Sequence, residues 1–250
     1  MIYKKFVVGP LDTNCYIIGS PEVIALIDPG FDANKIIKEI NKLNPARLIV
    51  LLTHGHFEHW LNIDKIRDYF PDLTLMYHKA EYNPQQKKIT PEVIEYLINN
   101  VKKYKKGKIK EGDEEYKKLY EIIKEYALFT NIKADEWLKE GKKIKLGEKT
   151  LITLETPGHS PGSLSFYSSD IKEVRGHLFD GVIFTGDLLL KRTVGEFRIP
   201  GGDEKLLFSS IKHKIMNNSE LTNHFKILGG HYGDTTIAEE KLLNPFRAHF

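Results

Sequence analysis

Residues 54–59 read His-Gly-His-Phe-Glu-His and follow directly on the strand-like apolar run 47–53. Three imidazoles and a carboxylate in six residues form a dense set of metal donors. Neutral histidine suits zinc, iron and related ions, and a carboxylate adds a hard oxygen ligand. A buried strand that ends at such a cluster holds the backbone still while several side chains aim at one point. The segment therefore predicts a metal site at the end of a strand.

Three later segments repeat this arrangement of strand, glycine turn and metal-capable side chain. Residues 150–156 lead through Pro-Gly to His159, residues 181–185 lead through glycine to Asp187, and residues 225–228 lead through Gly-Gly to His231. Glycine permits the sharp turn that ends each strand. Ligands in α/β proteins commonly bind where such loops open at a sheet edge. If the four strands lie side by side, these three side chains meet the first cluster at that edge.

These segments resemble the metallo-β-lactamase-fold hydrolases. The motifs that carry the resemblance lie at residues 53–59, 156–163, 184–187 and 230–231. Residues 10–16, 28–30, 200–203 and 235–246 are similar to the compact bacterial glyoxalase II enzymes, also called hydroxyacylglutathione hydrolases. The resemblance implies an α/β (α+β) fold with four layers in the order αββα. Strand-like and helix-like segments in both halves of the chain favour the same architecture.

The resemblance also implies two divalent metal ions, with zinc expected first and iron or manganese as alternatives. It assigns His54, His56 and His159 to the first ion. It assigns Glu58, His59 and His231 to the second ion, with Asp187 as the carboxylate that bridges the two. Two cations that share a water molecule lower its pKa, and the resulting hydroxide attacks a carbonyl that a metal polarises. We therefore expect an enzyme that hydrolyses a thioester or ester, with Glu58 and Asp187 as catalytic carboxylates.

Two positions depart from the glyoxalase II pattern. Glu58 stands where the family has aspartate, and its extra methylene displaces the carboxylate of the second metal site. Glu196 stands where a basic residue binds a carboxylate of glutathione, and a like charge disfavours that ligand. Lys191, Arg192 and Arg198 are close in sequence and supply positive charge in place of the missing basic residue. The expected substrate contacts are Tyr16, Lys191, Arg192, Glu196 and Arg198.

Two other functions are compatible with the donor residues. A mononuclear iron oxygenase similar to persulfide dioxygenases needs only two histidines and a carboxylate, for which His54, His159 and Asp187 are candidates. A non-catalytic metal-binding module is the third hypothesis. Oxygen uptake with a persulfide substrate distinguishes the oxygenase from the hydrolase.

Composition limits the class of protein. Two hundred and fifty residues suffice for one large domain, which we expect to span 1–250. The only cysteine, Cys15, excludes an internal disulfide and fits a reducing compartment. No stretch approaches the roughly 20 apolar residues of a membrane span. These observations predict a cytoplasmic protein with a small-molecule substrate and no membrane partner.

Residues 83–145 form a segment rich in lysine and tyrosine, which we interpret as a helical insertion. It carries a net charge of +5, so the rest of the chain carries −2. The run 102–110 has six lysines around Tyr104, as a nucleic-acid site would, but acidic residues follow at once. The apolar spacing explains most of the lysines as a solvated helix face, so we expect no nucleic-acid partner.

The insertion contains two amphipathic patterns. The first begins at Thr90-Pro91, with proline in the first helical turn. The second begins after Asp113 and extends to Ala127. One interpretation is a surface hairpin that covers an end of the sheet. The other is a lid over the site or a contact in a homodimer.

Overall fold

The computed structural model describes residues 1–110, 112–126 and 129–250. The strands β1 to β16 are Ile2–Val8, Thr13–Gly19, Val23–Ile27, Arg47–Leu51, Thr74–His78, Glu136–Leu138, Lys143–Leu146, Lys149–Glu155, Leu164–Ser168, Glu173–Val174, His177–Leu178, Gly181–Gly186, Leu189–Leu190, Thr193–Val194, Phe225–Gly229 and Thr235–Thr236. The helices α1 to α7 are Ala33–Leu43, Phe57–Trp60, Ile63–Tyr69, Pro91–Lys105, Glu114–Tyr126, Glu204–Ser210 and Ile237–Leu243. Single turns at Lys79–Glu81 and Arg247–His249 and a π-helical extension of α6 at Ile211–Met216 complete the elements.

Two six-stranded sheets form the centre of the protein. The first has the order β1-β2-β3-β4-β5-β6, and its strands from β3 to β6 are parallel. The second has the order β16-β15-β12-β9-β8-β7, in which β12 and β15 are parallel and the other pairs antiparallel. The strand before the His-Gly-His segment, β4, is therefore in one sheet, whereas β8, β12 and β15 are in the other. The expectation that these four strands lie side by side is wrong.

Three apolar clusters show how the sheets and helices stack. Side chains alternate across a strand, so Val50 of β4 packs with Ile36 of α1 while its neighbour Leu51 faces the second sheet. On the far side of the second sheet, Ile183 of β12 packs with Leu207 of α6. The order of layers is therefore helices, sheet, sheet, helices, and the predicted αββα sandwich is confirmed.

The insertion is shorter than the sequence suggests. Its helices α4 and α5 begin where the patterns predict, although Ala127 lies outside the described residues. At its base Tyr82 pairs with Thr130, and the Asn83 amide donates to the Thr130 carbonyl at 3.0 Å. The predicted end at residue 145 is wrong because β6 and β7 within that segment belong to the two sheets. The inserted segment therefore ends near residue 130.

Across the described ranges of the chain, no helix is both long and apolar enough to cross a membrane.

Candidate metal centre

The loop after β4 is held by a carboxylate from the neighbouring strand. Asp28 follows β3 and lies buried, with a positive φ of 53°. Its Oδ1 accepts a hydrogen bond from the Thr53 amide at 2.8 Å, and its Oδ2 accepts one from the Thr53 hydroxyl at 2.7 Å. The same Oδ2 lies 3.0 Å from Nδ1 of His59. Asp28 therefore fixes both the start of the loop and the orientation of one imidazole.

Backbone carbonyl oxygens orient two further imidazoles. The Nδ1 of His159 lies 2.8 Å from the Glu196 carbonyl oxygen, and the Nδ1 of His231 lies 3.1 Å from that of Leu11. A hydrogen bond from Nδ1 to a carbonyl oxygen fixes the tautomer and leaves the lone pair of Nε2 to serve as a metal ligand. These contacts thus aim Nε2 of each ring at the same region.

The structure brings the seven predicted donors together in three overlapping groups, within each of which one ligand atom per residue lies within 4.8 Å of the others. They are His54, His56 and His159; His54, His59 and Asp187; and Glu58, His59 and His231. Asp187 lies between the groups: its Oδ2 is 3.8 Å from Nε2 of His159 and 3.3 Å from Nε2 of His231. Its Oδ1 is 3.8 Å from Nε2 of His59. The carboxylate therefore lies close to histidines of all three groups.

Several of these donor atoms are buried without a partner. The atoms are Nε2 of His54, His56 and His59 and Oδ1 of Asp187, none of which has a hydrogen-bond partner within the described part of the chain. A buried polar group without a partner costs free energy, so such atoms rarely collect in one place unless a ligand satisfies them. Nitrogen and carboxylate donors suit zinc, iron or manganese. The donor set fits divalent metal ions.

The protonation of the cluster also suits metal binding. Burial lowers the pKa of His54, His56 and His159, which keeps these rings neutral. Burial also acts to lower the pKa of His231, but the carboxylates of Asp187 and Glu58 outweigh it and raise that pKa to about 9. His231 would lose this proton in order to hold a metal ion, because a metal ligand must be deprotonated.

The imidazoles beside Asp187 determine the charge of its carboxylate. Burial acts to raise the pKa of Asp187, but His231 and His59 hold it well below its usual range. Burial acts to lower the pKa of His59, but Asp28 and Asp187 raise it. Asp187 is therefore ionised and available as a ligand.

A buried carboxylate that the sequence did not indicate joins two of the donor loops. Oε2 of Glu81 accepts from the Gly55 amide at 2.7 Å, between the first two histidines of the metal segment. Its Oε1 accepts from the Gly162 amide at 2.5 Å and from the Ser160 hydroxyl at 2.7 Å, both in the loop that follows His159. Burial raises its pKa to about 6, against the opposing effect of these hydrogen bonds. No local pattern marks Glu81, because its partners come from distant segments.

Two glycines allow close approach around the ligands. A Cβ on Gly230 would lie 2.1 Å from Oδ1 of Asp187, and one on Gly30 would lie 1.5 Å from the Glu58 carbonyl oxygen. Both distances are too short for non-bonded atoms. Glycine at these turns therefore lets the His231 loop and the Asp-Pro-Gly turn pack against the donors.

A cavity of about 800 Å³ opens above the donors. Its floor includes Glu58 and Asp187, and its mouth includes Tyr232, which is 64% exposed. The backbone of Tyr232 has a φ of 62°, a strained conformation for a bulky side chain, and such strain clusters at functional sites. Helices α4 and α5 contribute one side of the cavity, here called the insertion wall: Val101, Tyr116, Leu119 and Ile123.

The predicted substrate contacts divide into two sets. Glu196 and Arg198 line the cavity, where Nε and Nη2 of Arg198 each lie 3.0 Å from the Glu196 carboxylate. Tyr16, in contrast, is buried and donates its hydroxyl to the Gly229 carbonyl at 2.7 Å, so it supports the His231 loop instead.

The two basic residues before the Glu196 loop lie outside the cavity lining. Arg192 pairs with Glu240 and donates from Nη1 to the Thr235 hydroxyl at 3.2 Å, which ties it to the last strand and helix. Lys191 is exposed to solvent. Tyr16, Lys191 and Arg192 are therefore not among the described residues that line this cavity, and their contact with substrate stays a prediction.

Comparisons with known proteins agree with this geometry. Residues 8–221 match the family model of the Metallo-beta-lactamase superfamily. The protein is 28% identical to the probable metallo-hydrolase YqgX of Bacillus subtilis (strain 168), over 98% of this chain and 97% of the relative. It is 30% identical to the hydroxyacylglutathione hydrolase GloC of Haemophilus influenzae (strain ATCC 51907 / DSM 11121 / KW20 / Rd), over 93% of this chain and 92% of the relative.

A solved structure extends the comparison to a metal-bound protein. The crystal structure of TTHA1623 in a di-iron-bound form superposes with a TM-score of 0.66 at 26% identity, covering 97% of this chain and 99% of that one. The family model spans most of the sequence, and the donor loops converge in a sandwich of the same kind. The chain belongs to the metallo-beta-lactamase superfamily of metallo-hydrolases.

Proposed function

We propose that the protein hydrolyses a thioester or ester bond with two divalent metal ions. The observation that carries the proposal is the meeting of two donor groups at Asp187, at the floor of a cavity large enough for a small molecule. The relative GloC, named as a hydroxyacylglutathione hydrolase, supports a thioester as the substrate class. Membership of a metallo-hydrolase superfamily supports hydrolysis as the reaction.

The metal-binding roles follow the three groups of donors. In this proposal His54, His56 and His159 hold one ion, Glu58, His59 and His231 hold the other, and Asp187 bridges them. When bound, such ions lower the pKa of a water molecule toward neutrality and polarise a carbonyl group. Asp28 and the backbone carbonyl groups behind the imidazoles keep the donor atoms aimed at the centre.

Two carboxylates would handle the water and its proton. Asp187 is ionised and central, so it orients the attacking water toward the cavity. Glu58 lines the cavity and has two carboxylate oxygens, one for the second ion and one that accepts the proton from the water. The water oxygen bonds to the carbonyl carbon, the carbon–sulfur or carbon–oxygen bond breaks, and the proton passes to the departing thiol or alcohol.

The first test is the metal content of protein purified without added metal, combined with hydrolysis assays. We expect close to two zinc or iron ions per chain by mass spectrometry, and release of thiol from a simple acyl thioester. A chelator should abolish the release and added metal should restore it. One iron per chain, together with oxygen uptake on a persulfide, would replace the hydrolase with the oxygenase. Full hydrolysis by metal-free protein would contradict a metal-dependent mechanism.

A further inference from the structure

The insertion wall stands over the metal centre and is mainly apolar. Val101 of α4 and Leu119 of α5 are nearly buried, yet both contribute to the surface of the cavity that contains Asp187. Ile123 lies one helical turn beyond Leu119 on the same side of α5. The inserted helices therefore line part of the cavity and do not merely cover the outside of the protein.

A second part of the cavity lining is apolar as well. Val194, at the end of β14, and Phe197 and Ile199 in the following loop line it. The rings of Phe197 and Phe208 lie 5.9 Å apart, so this side is supported by the packing on α6. An apolar group bound against these surfaces would lose contact with water, and burial of apolar area is what drives hydrophobic binding.

Away from the metal donors, the side chains of the cavity offer little positive charge to an anionic group. Among the described residues that line it, Arg198 is the only lysine or arginine. Two of its nitrogens face the Glu196 carboxylate at 3.0 Å, so much of its charge is already balanced. A carboxylate on the substrate would have to compete with Glu196 for this guanidinium. Size does not exclude a glutathione thioester, but the like charge of Glu196 disfavours its carboxylates in this part of the cavity.

We propose that the substrate carries an uncharged, apolar acyl group next to its scissile bond, and that the insertion wall binds this group. The inference rests on the proposed hydrolytic function and names its substrate class. It also assigns the inserted helices α4 and α5 a role in choosing the substrate.

The test compares acyl chain lengths on the metal-loaded protein. Hydrolysis rates are measured for 4-nitrophenyl acetate, butyrate, hexanoate and octanoate, and for S-lactoylglutathione as the anionic substrate. We expect kcat/KM to rise roughly fourfold with each methylene until the cavity is filled. S-Lactoylglutathione should be a poorer substrate than the uncharged hexanoyl thioester of a simple alkyl thiol.

The chain offers a matched pair of variants on one helix. Ile122 and Ile123 are neighbours, are both half-buried and both pack on the core, but only Ile123 belongs to the insertion wall. Ile123→Thr should lower the ratio of octanoate to acetate hydrolysis by roughly fivefold, because it replaces buried apolar surface with a hydroxyl. Ile122→Thr should leave that ratio unchanged. Thermal unfolding of both variants shows whether their stabilities match.

Binding of the product separates this inference from the proposed reaction. Octanoate and acetate are titrated into the protein by calorimetry, with and without Ile123→Thr. Stronger binding of octanoate that weakens in Ile123→Thr supports the apolar site even if no ester is hydrolysed, a result that would contradict only the reaction. Equal rates for all chain lengths, or equal binding of both acids, would overturn the apolar site while leaving metal-dependent hydrolysis intact.

Discussion

The metal centre and the insertion wall face the same cavity but are built differently. In the metal centre, Asp28 and backbone carbonyl groups hold the imidazoles, and the ligands lie at the ends of strands in two sheets. The insertion wall consists of apolar side chains on two helices that leave the sandwich at Tyr82 and return at Thr130. A metal site needs ligand atoms positioned to a fraction of an ångström, whereas a hydrophobic surface needs only a shape that complements the bound group. Substitutions in the two regions should therefore have different consequences.

The largest effect is expected from a metal ligand. His56→Ala removes a donor from the first group, and we expect hydrolysis of every substrate to fall by about a thousandfold, since the electrostatic stabilisation of the reacting carbonyl is lost. Steady-state kinetics and metal content measure the change. His224→Ala, at an exposed histidine, is the control and should keep full activity. A loss of activity confined to the long-chain esters would instead assign His56 a role in substrate binding.

A residue that supports a ligand should matter less than the ligand itself. In Asp28→Asn an amide replaces the carboxylate that accepts from Nδ1 of His59, and its NH₂ group cannot accept that bond. We expect roughly a 10- to 100-fold loss of metal affinity at the second site. Competition with a chromogenic chelator measures the affinity. Asp72→Asn, at an exposed residue, is the control and should leave the metal affinity unchanged. An unchanged affinity in Asp28→Asn would show that the contact between Asp28 and His59 does not support metal binding.

Glu81, the buried carboxylate between the donor loops, should make the free energy of unfolding depend on pH. The pKa of Glu81 is about 6 in the folded protein and lower when unfolded, so the folded state binds more protons between these values. Its contribution therefore becomes destabilising as pH rises, by roughly 1.5 kcal/mol between pH 4.5 and 6.5. Relative to Glu81→Gln, the wild type should lose this amount across that range.

Urea unfolding of metal-free protein at pH 4.5 and 6.5 measures that difference. Glu220→Gln, at an exposed acid, is the control and should follow the wild type at both values. A constant difference between wild type and Glu81→Gln would show that Glu81 does not titrate in this range.

The smallest effect is expected at the mouth of the cavity. Glu196→Gln removes a negative charge from the cavity and weakens the contact of Glu196 with Arg198, which favours an anionic substrate. We expect kcat/KM for S-lactoylglutathione to rise by up to about fivefold, the range of a solvent-exposed ion pair, and stability to change little. Glu220→Gln again serves as control. A decrease would mean that Glu196 itself contacts the substrate.

Sequence patterns predicted the elements better than their partners. Helix α1 runs from Ala33 to Leu43, and its buried residues Ile36 and Ile40 are spaced by one helical turn in the sequence. The starts of α4 and α5 were likewise visible, because a helix repeats its apolar face over a few residues. The end of the insertion was not visible in the sequence. Strand β6 is too short to show a pattern and is defined by its pairing with β5.

By itself, the sequence determined the kinds of donor atom, their glycine turns after strands, and the resemblance that implied an αββα sandwich. Tertiary structure alone decided that β4 and β8 lie in different sheets, that Glu81 joins two donor loops, and that Ile123 rather than Ile122 faces the cavity. The physical reason is the range of the interactions. Turns, caps and periodic faces depend on neighbours along the chain, whereas strand pairing, buried hydrogen bonds and cavity walls depend on segments that meet only when the chain folds.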